Sequence, residues 1–435
     1  MRSLALLSVL ALSLALVSPA GVGAVATPTE TTVIDDYRPN VGATPTDGSG
    51  TNSAVTPVTS GQVDEPTNGA NQTRVLVVPD TAVQRTEIDG ATLNLGPATQ
   101  FNDNVSAVEI QTAAVVEYIR AAEDDSERSR RIIQASSTVE TEIITLRDRQ
   151  QEAIEAFNAG ELSPEAFVVE LATISAKADA LEQRMMRLTD LAEEIDGFSL
   201  SRPTEIQYEL RTFGGPVRER AVDAIRGTDE PTLFFLTTGP EGYELATVDN
   251  GSYYREAYRG AEFSGNTDAT MSPDEAVDVV EASYPDIFRL GDPSATTSGT
   301  TNIVTVSGPG RSLTAFVDSG EEAVFKEYQR IALDQYDSEA VASNTINGIN
   351  VTVNRTYPGG PLRISVTDAE SGEPIDLAIT LSQGQAERTA IGRTGEDGTL
   401  WTISPRGSYT ALAVGDETTA AYVETNSTDP PTLDA

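Results

Sequence analysis

The side chains able to do chemistry in this chain are almost all carboxylates. Among 435 residues there are 67 Asp and Glu, no histidine and no cysteine. Ser-His and Cys-His nucleophilic systems, and zinc sites ligated by His or Cys, therefore cannot be assembled from it. What remains is paired-carboxylate chemistry of the kind that hydrolyses glycosides, with one acid protonating the leaving group and a second acting as base or nucleophile. Two sets of acids are candidates: Asp318 with Glu321 and Glu322, and Asp368 with Asp397. Close pairs also arise by chance in a chain this acidic, and no catalytic residue is assigned. The same turn acids are weak calcium candidates, because no D-x-[DN]-x-[DN]-G loop occurs. Gly308-Pro309-Gly310-Arg311-Ser312 lacks the spacing and the lysine of a phosphate loop and reads as a turn. No cofactor or metal is expected. Six N-x-[ST] sequons, at Asn71, Asn104, Asn250, Asn350, Asn354 and Asn426, are acceptor candidates for N-glycosylation; all but Asn104 fall in expected linkers or turns.

The charge balance narrows the partners. Against the 67 acids stand 29 basic residues, a net charge of −38. Only Lys177 and Lys326 are lysines; the other basic residues are arginines. Screening lengths shrink to about 3 Å at 1 M salt, so such a surface suits a halophile. Nucleic acid is not an expected partner, because no basic patch exists to release its counterions. At the N-terminus, Met1-Arg2 precedes an apolar run from Ser3 to Ser18, and small residues end at Ala24-Val25-Ala26. That order predicts a signal peptide over 1–26 cleaved before Thr27, and an exported protein. No second apolar stretch is long enough to span a membrane.

The elements that must position these groups fall into blocks. Residues 27–70 are a Thr/Pro/Gly-rich tract expected to be a disordered linker. Residues 71–203 hold a strand at Arg74–Val78, an amphipathic stretch from Val108 to Ile119 that fits a third helix, and two apolar seams. The first seam is Ile132, Ser136, Val139, Ile143, Leu146, Gln150, Ala153 and Phe157. The second is Phe167, Leu171, Ile174, Ala178, Leu181, Met185, Leu188, Ala192 and Ile195. Steps of three and four on either side of Gly160, Ser163 and Pro164 predict an antiparallel coiled-coil hairpin over about 130–195. Each arm would be about 40 Å long. An ordinary helical pair inside a globular domain has the same periodicity. Residues 204–345 alternate helix signals with strands and Gly/Pro/Asn turns, an antiparallel α+β domain. Residues 346–424 read as a small β-sandwich with Trp401 in its core, and 425–435 as a disordered tail. The fold class is multidomain α+β.

Two stretches carry family resemblances. "SPDEAVDVVEASYPDIF" followed by "LTAFVDSGEEAVFKEY", within 270–335, weakly resembles a PepSY module, which implies a binding or inhibitory role. From 361 to about 424, "ISVTDAESGEPI", "TGEDGTL" and "YTALA" resemble the carboxypeptidase regulatory-like, transthyretin-like sandwich, a non-catalytic appendage. The order of blocks is similar to exported haloarchaeal proteins whose domains have no assigned function. The expected role is non-catalytic: binding an envelope protein or glycan, or building the envelope. The alternatives are an extracellular hydrolase using paired carboxylates and a protease inhibitor or regulator. A cleft with two carboxylates, one with a raised pKa, would favour the hydrolase.

Overall fold

The computed structural model describes residues 73–433 apart from 91–94, 229–231, 266–267, 337–339, 384–387 and 416–419. The expected signal peptide, the linker and Asn71 lie outside the described residues. Three long helices come first: α1 (Leu95–Arg120), α2 (Asp125–Asn158) and α3 (Pro164–Glu193). Asp124 caps α2 by accepting from the Glu127 amide (2.7 Å), and Ser163 caps α3 through Ala166 (3.2 Å) with Pro164 at the first helical position. Between them Gly160 takes φ +76°, which ends α2 at little steric cost.

All the seam residues of both helices are buried. The pairs Arg128–Glu194, Ser136–Met185, Arg149–Glu170 and Phe157–Phe167 run in opposite senses, so α2 and α3 are antiparallel. The seam is one side of a larger helical layer. Helix α3 also buries Val168, Ala172, Arg184 and Leu191, because α1, α4 (Pro203–Arg211) and α5 (Pro216–Arg226) pack around it.

The helices cover one face of an eight-stranded open antiparallel sheet. Its strands are β1 (Arg85–Gly90), β2 (Leu233–Thr238), β3 (Gly242–Asp249), β4 (Ser252–Arg259), β5 (Pro293–Ser298), β6 (Thr301–Gly308), β7 (Arg311–Asp318) and β8 (Ala323–Ala332). They lie in the order β1-β2-β3-β4-β8-β7-β6-β5. Strand side chains alternate between faces. Phe234, Leu236, Tyr243, Leu245 and Tyr254 pack on the helical layer, while Ala257, Val304, Val306, Leu313 and Ala315 meet α6 (Pro273–Ser283) and α7 (Pro285–Phe288) on the other face. Ser272 and Glu275 form the capping box of α6.

Arg74–Val78 is not a ladder strand. Val75 makes a single parallel bridge to Thr432, and the true strand is β1, seven residues later. The reason is chemical: the amides of Leu76 and Val78 are taken by carboxylates, described below, instead of by a neighbouring strand. Strand β5, at the edge of the sheet opposite β1, reads Pro-Ser-Ala-Thr-Thr-Ser, with no apolar alternation to announce it.

The C-terminal module is a pair of four-stranded sheets. One joins β9 (Val341–Ile346), β10 (Ile349–Asn354), β11 (Pro361–Asp368) and β14 (Thr399–Ile403). The other joins β12 (Ala378–Ser382), β13 (Thr389–Arg393), β15 (Ser408–Val414) and β16 (Ala420–Asn426). Val351, Val353, Leu362, Ile364, Val366, Tyr409 and Ala411 fill the space between them. Trp401 does not. Its neighbour Leu400 faces the sandwich, so Trp401 faces out, edge-on to Tyr336 at 6.1 Å, in the cluster that joins the module to β2, β3 and β4. The last residues, expected as a tail, return to the body, where Pro431 accepts from the Val75 amide at 2.9 Å.

Candidate functional site

The three aspartates singled out in the sequence each accept hydrogen bonds from amides of their own turns. Asp318 ends β7, and its Oδ1 accepts from the Ser264 hydroxyl (2.6 Å) and the Gly320 and Glu321 amides (3.0 and 2.9 Å). Glu321 and Glu322 are exposed on the following turn. Asp368 Oδ1 accepts from the Glu370 and Ser371 amides (3.0 and 2.8 Å), and these bonds hold its carboxyl below the ordinary range. Asp397 Oδ1 accepts from the Thr399 amide at 3.0 Å. Each acid closes its own turn. Gly308–Ser312 is the β6–β7 hairpin turn, with Gly308 opposite Arg311.

Of the sequons, Asn250 is exposed at the β3–β4 turn with φ +46°, and Asn426 is exposed at the end of β16. Asn104 is half-buried on α1. Asn350 and Asn354 lie in β10 and not in turns, both half-buried.

The largest concentration of chemistry is one that sequence reading did not single out. In β4, Arg255 and Glu256 are adjacent and point to opposite faces; both are essentially inaccessible. On the face toward α6, the Arg255 guanidinium is clamped between Glu327 and Glu244, the latter at 3.0 Å. It also donates to the Leu76 carbonyl at 2.6 Å. Glu327 Oε2 accepts from the Leu76 amide (3.0 Å), the Tyr284 hydroxyl (2.6 Å) and Gln329 (3.2 Å); Glu244 Oε1 accepts from the Val78 amide at 2.5 Å. Gln329 donates to the Arg74 carbonyl at 2.7 Å. Side chains of the sheet thus bind residues 74–78 as a ladder strand would. Burial alone would lower the Arg255 pKa, but Glu327 and Glu244 outweigh it and hold the guanidinium firmly charged.

On the helical face, Arg218 of α5 pairs with Glu256 at 3.0 Å, reaches Gln150 of α2 at 3.0 Å and donates to the Phe213 carbonyl. Gln150 is one of the two polar breaks in the first seam, and this contact explains it. Lys326, one of only two lysines, is fully buried beside them; it donates to the Gly214 carbonyl (2.9 Å) and the Thr212 carbonyl at the end of α4. Burial, then Arg218, push its pKa well down. A charged pair in the middle of "SYYREAYR" and another in "VFKEYQ" were the available signals: ions at the centre of strands covered on both faces must be paired.

One accessible feature carries a perturbed acid. A cleft of about 550 Å³ opens between α3, α5 and strands β4, β8, β7 and β6 of the sheet, with Asp179, Glu182 and Glu219 on its helical side and Tyr254, Thr314 and Tyr328 among its sheet residues. Burial, together with Glu219 and Glu182, raises the Asp179 pKa to about 6, and burial raises that of Glu219 as well. Among the described residues, no group of three or more His, Cys, Asp or Glu is placed to hold a metal ion, and no helix is long and apolar enough to cross a membrane.

The helical layer, the greater part of the antiparallel sheet, and the sandwich correspond to three family matches. Residues 1–230, more than half of the 435-residue chain, match the family described as Domain of unknown function DUF7096. The protein belongs to that family. Residues 234–337 match a family of unknown function, DUF7094, and residues 340–422 match the archaeal fibronectin-III type-like domain. No curated protein and no solved structure matches the chain.

Proposed function

We propose that this is a non-catalytic exported protein of a salt-adapted archaeal envelope, which binds a protein or glycan partner through its fibronectin-III-like module and the outer face of the α2–α3 hairpin. The observation that carries the reading is where the ionisable groups are spent. The strongest cations and acids of the interior, Arg218, Arg255, Glu244, Glu256 and Glu327, are paired to one another and to backbone groups that join layers. Asp318, Asp368 and Asp397 accept from amides of their own turns. The apolar run ahead of Ala24-Val25-Ala26 supports export. The side of the α2–α3 hairpin turned away from the helical layer offers a surface for docking, and the resemblance of the sequence to regulatory-like sandwiches and PepSY modules fits binding in place of turnover.

A second reading has one observation in its favour. Asp179 shares its cleft with Glu182 and Glu219, and its carboxyl stays protonated to about pH 6, as a general acid requires. A single experiment separates the two. The full chain, immobilised in molar salt, should retain a component of the envelope fraction; Tyr422→Ala, at an exposed position on β16, should weaken retention, and Asp179→Asn should leave it unchanged. Failure to retain any component, together with hydrolysis of glycan or peptide substrates that Asp179→Asn abolishes, would replace the binding reading with the hydrolase.

A further inference from the structure

The end of the β6–β7 ladder holds a carboxylate whose environment is incomplete. Asp318 is fully buried, at 0% exposure. Its Oδ1 is saturated by neutral donors, the Ser264 hydroxyl and the Gly320 and Glu321 amides. Its Oδ2 is buried and meets no donor among the described residues. Directly across the ladder, in register, stands Thr301, also at 0% exposure, and its Oγ1 is likewise without a partner. Side chains opposite one another on adjacent strands have Cβ atoms about 5 Å apart, which places these two side chains on one face of the sheet. The two do not hydrogen-bond to one another, so each is left with an unused acceptor in the interior.

We propose that Asp318 Oδ2 and Thr301 Oγ1 are ligands of a desolvated monovalent cation, sodium or potassium, built into the β6–β7 end of the sheet. The donor set is all oxygen, which selects hard cations and excludes softer ones. The charge selects the valence. A buried carboxylate needs one positive charge, and a divalent ion would exchange one uncompensated buried charge for another. Glu205 on the facing helix does not supply a second ligand charge. Glu205 of α4 lies against Gly299, two residues before Thr301, but both its oxygens are held by Arg202 at 2.6 Å. With a net charge of −38 the chain suits a cation-rich solvent, where a weak site of this kind fills by mass action.

The test separates this site from general screening by holding ionic strength constant. Thermal unfolding of the full chain is compared in sodium, potassium and choline chloride, each at about 2 M, where screening lengths are only a few ångströms. The wild type should melt at least about 3 °C higher in sodium or potassium than in choline, the size expected of a ligand bound only by the folded state. Asp318→Asn keeps the Oδ1 acceptor and removes the charge; Thr301→Val removes the hydroxyl and keeps the shape. Each should abolish the difference between salts. Should Asp318→Asn not fold, Thr301→Val and crystals of the wild type grown in rubidium or thallium salt carry the test. An anomalous peak against Asp318 Oδ2 is the expected result. A water only at that position, equal midpoints in all three salts, or a sodium preference surviving both substitutions would overturn the proposal.

Discussion

Burial and the neighbouring Glu219 and Glu182 keep Asp179 protonated to about pH 6, where an unperturbed aspartate ionises near 3.8. The folded-state value lies above the unfolded one, so the unfolded chain releases its proton first as pH rises. Stability is therefore lost through the window from 3.8 to about 6 and is constant above it. Asp179→Asn removes the penalty. Its urea midpoint should match the wild type below pH 3.8 and exceed it by a growing margin up to about pH 6; a constant difference at all pH values would contradict the raised pKa. None of this was legible in the sequence. Asp179 sits on α3 off the heptad seam, and its perturbation arises first from the packing of other elements around it and then from Glu219, forty residues away on α5. Asp318 shows the reverse case. Its place at a hairpin end was readable from Val317-Asp318-Ser319-Gly320, yet the sequence says nothing of which oxygen its turn would satisfy.

At the scale of elements, periodicity located what periodicity can locate. The seams of α2 and α3 and the caps at Ser163 and Ser272 follow from residue spacing, because a helix buries every third or fourth side chain whatever lies opposite. Strand β5 and the segment around Val75 did not follow. The first has no apolar face because it is an edge; the second draws its hydrogen bonds from side chains remote in sequence. Trp401 was misplaced by one face, since alternation fixes that neighbours in a strand diverge but not which of them meets the sandwich core. Leu146 and Leu181 are buried in the seam at 1% and 3% exposure. Replacing either by alanine should cost about 2–5 kcal/mol, measured by urea unfolding in high salt. Glu152→Ala, at an exposed position on the same arm, should change stability by less than about 0.5 kcal/mol. Equal costs at Leu146 and Glu152 would mean that α2 and α3 do not pack through this seam.

Across the whole molecule, the two ionic clusters hold three layers together. Arg218–Glu256 fastens α5 and α2 to the sheet from one side. Glu244, Arg255 and Glu327 fasten residues 74–78 from the other, and Val75 in turn holds the C-terminal strand end at Pro431 and Thr432. Because these charges are desolvated, losing one partner is far more costly than a surface pair would be. Native-state hydrogen exchange at the Leu76 and Val78 amides reads this directly, since their acceptors are the Glu327 and Glu244 carboxylates and not a strand. Both amides should be protected as strongly as those at the centre of β4, opening only with the sheet. Exchange at the rate of an exposed turn would show that the carboxylates are not engaged, and that the interior charge is free for chemistry after all.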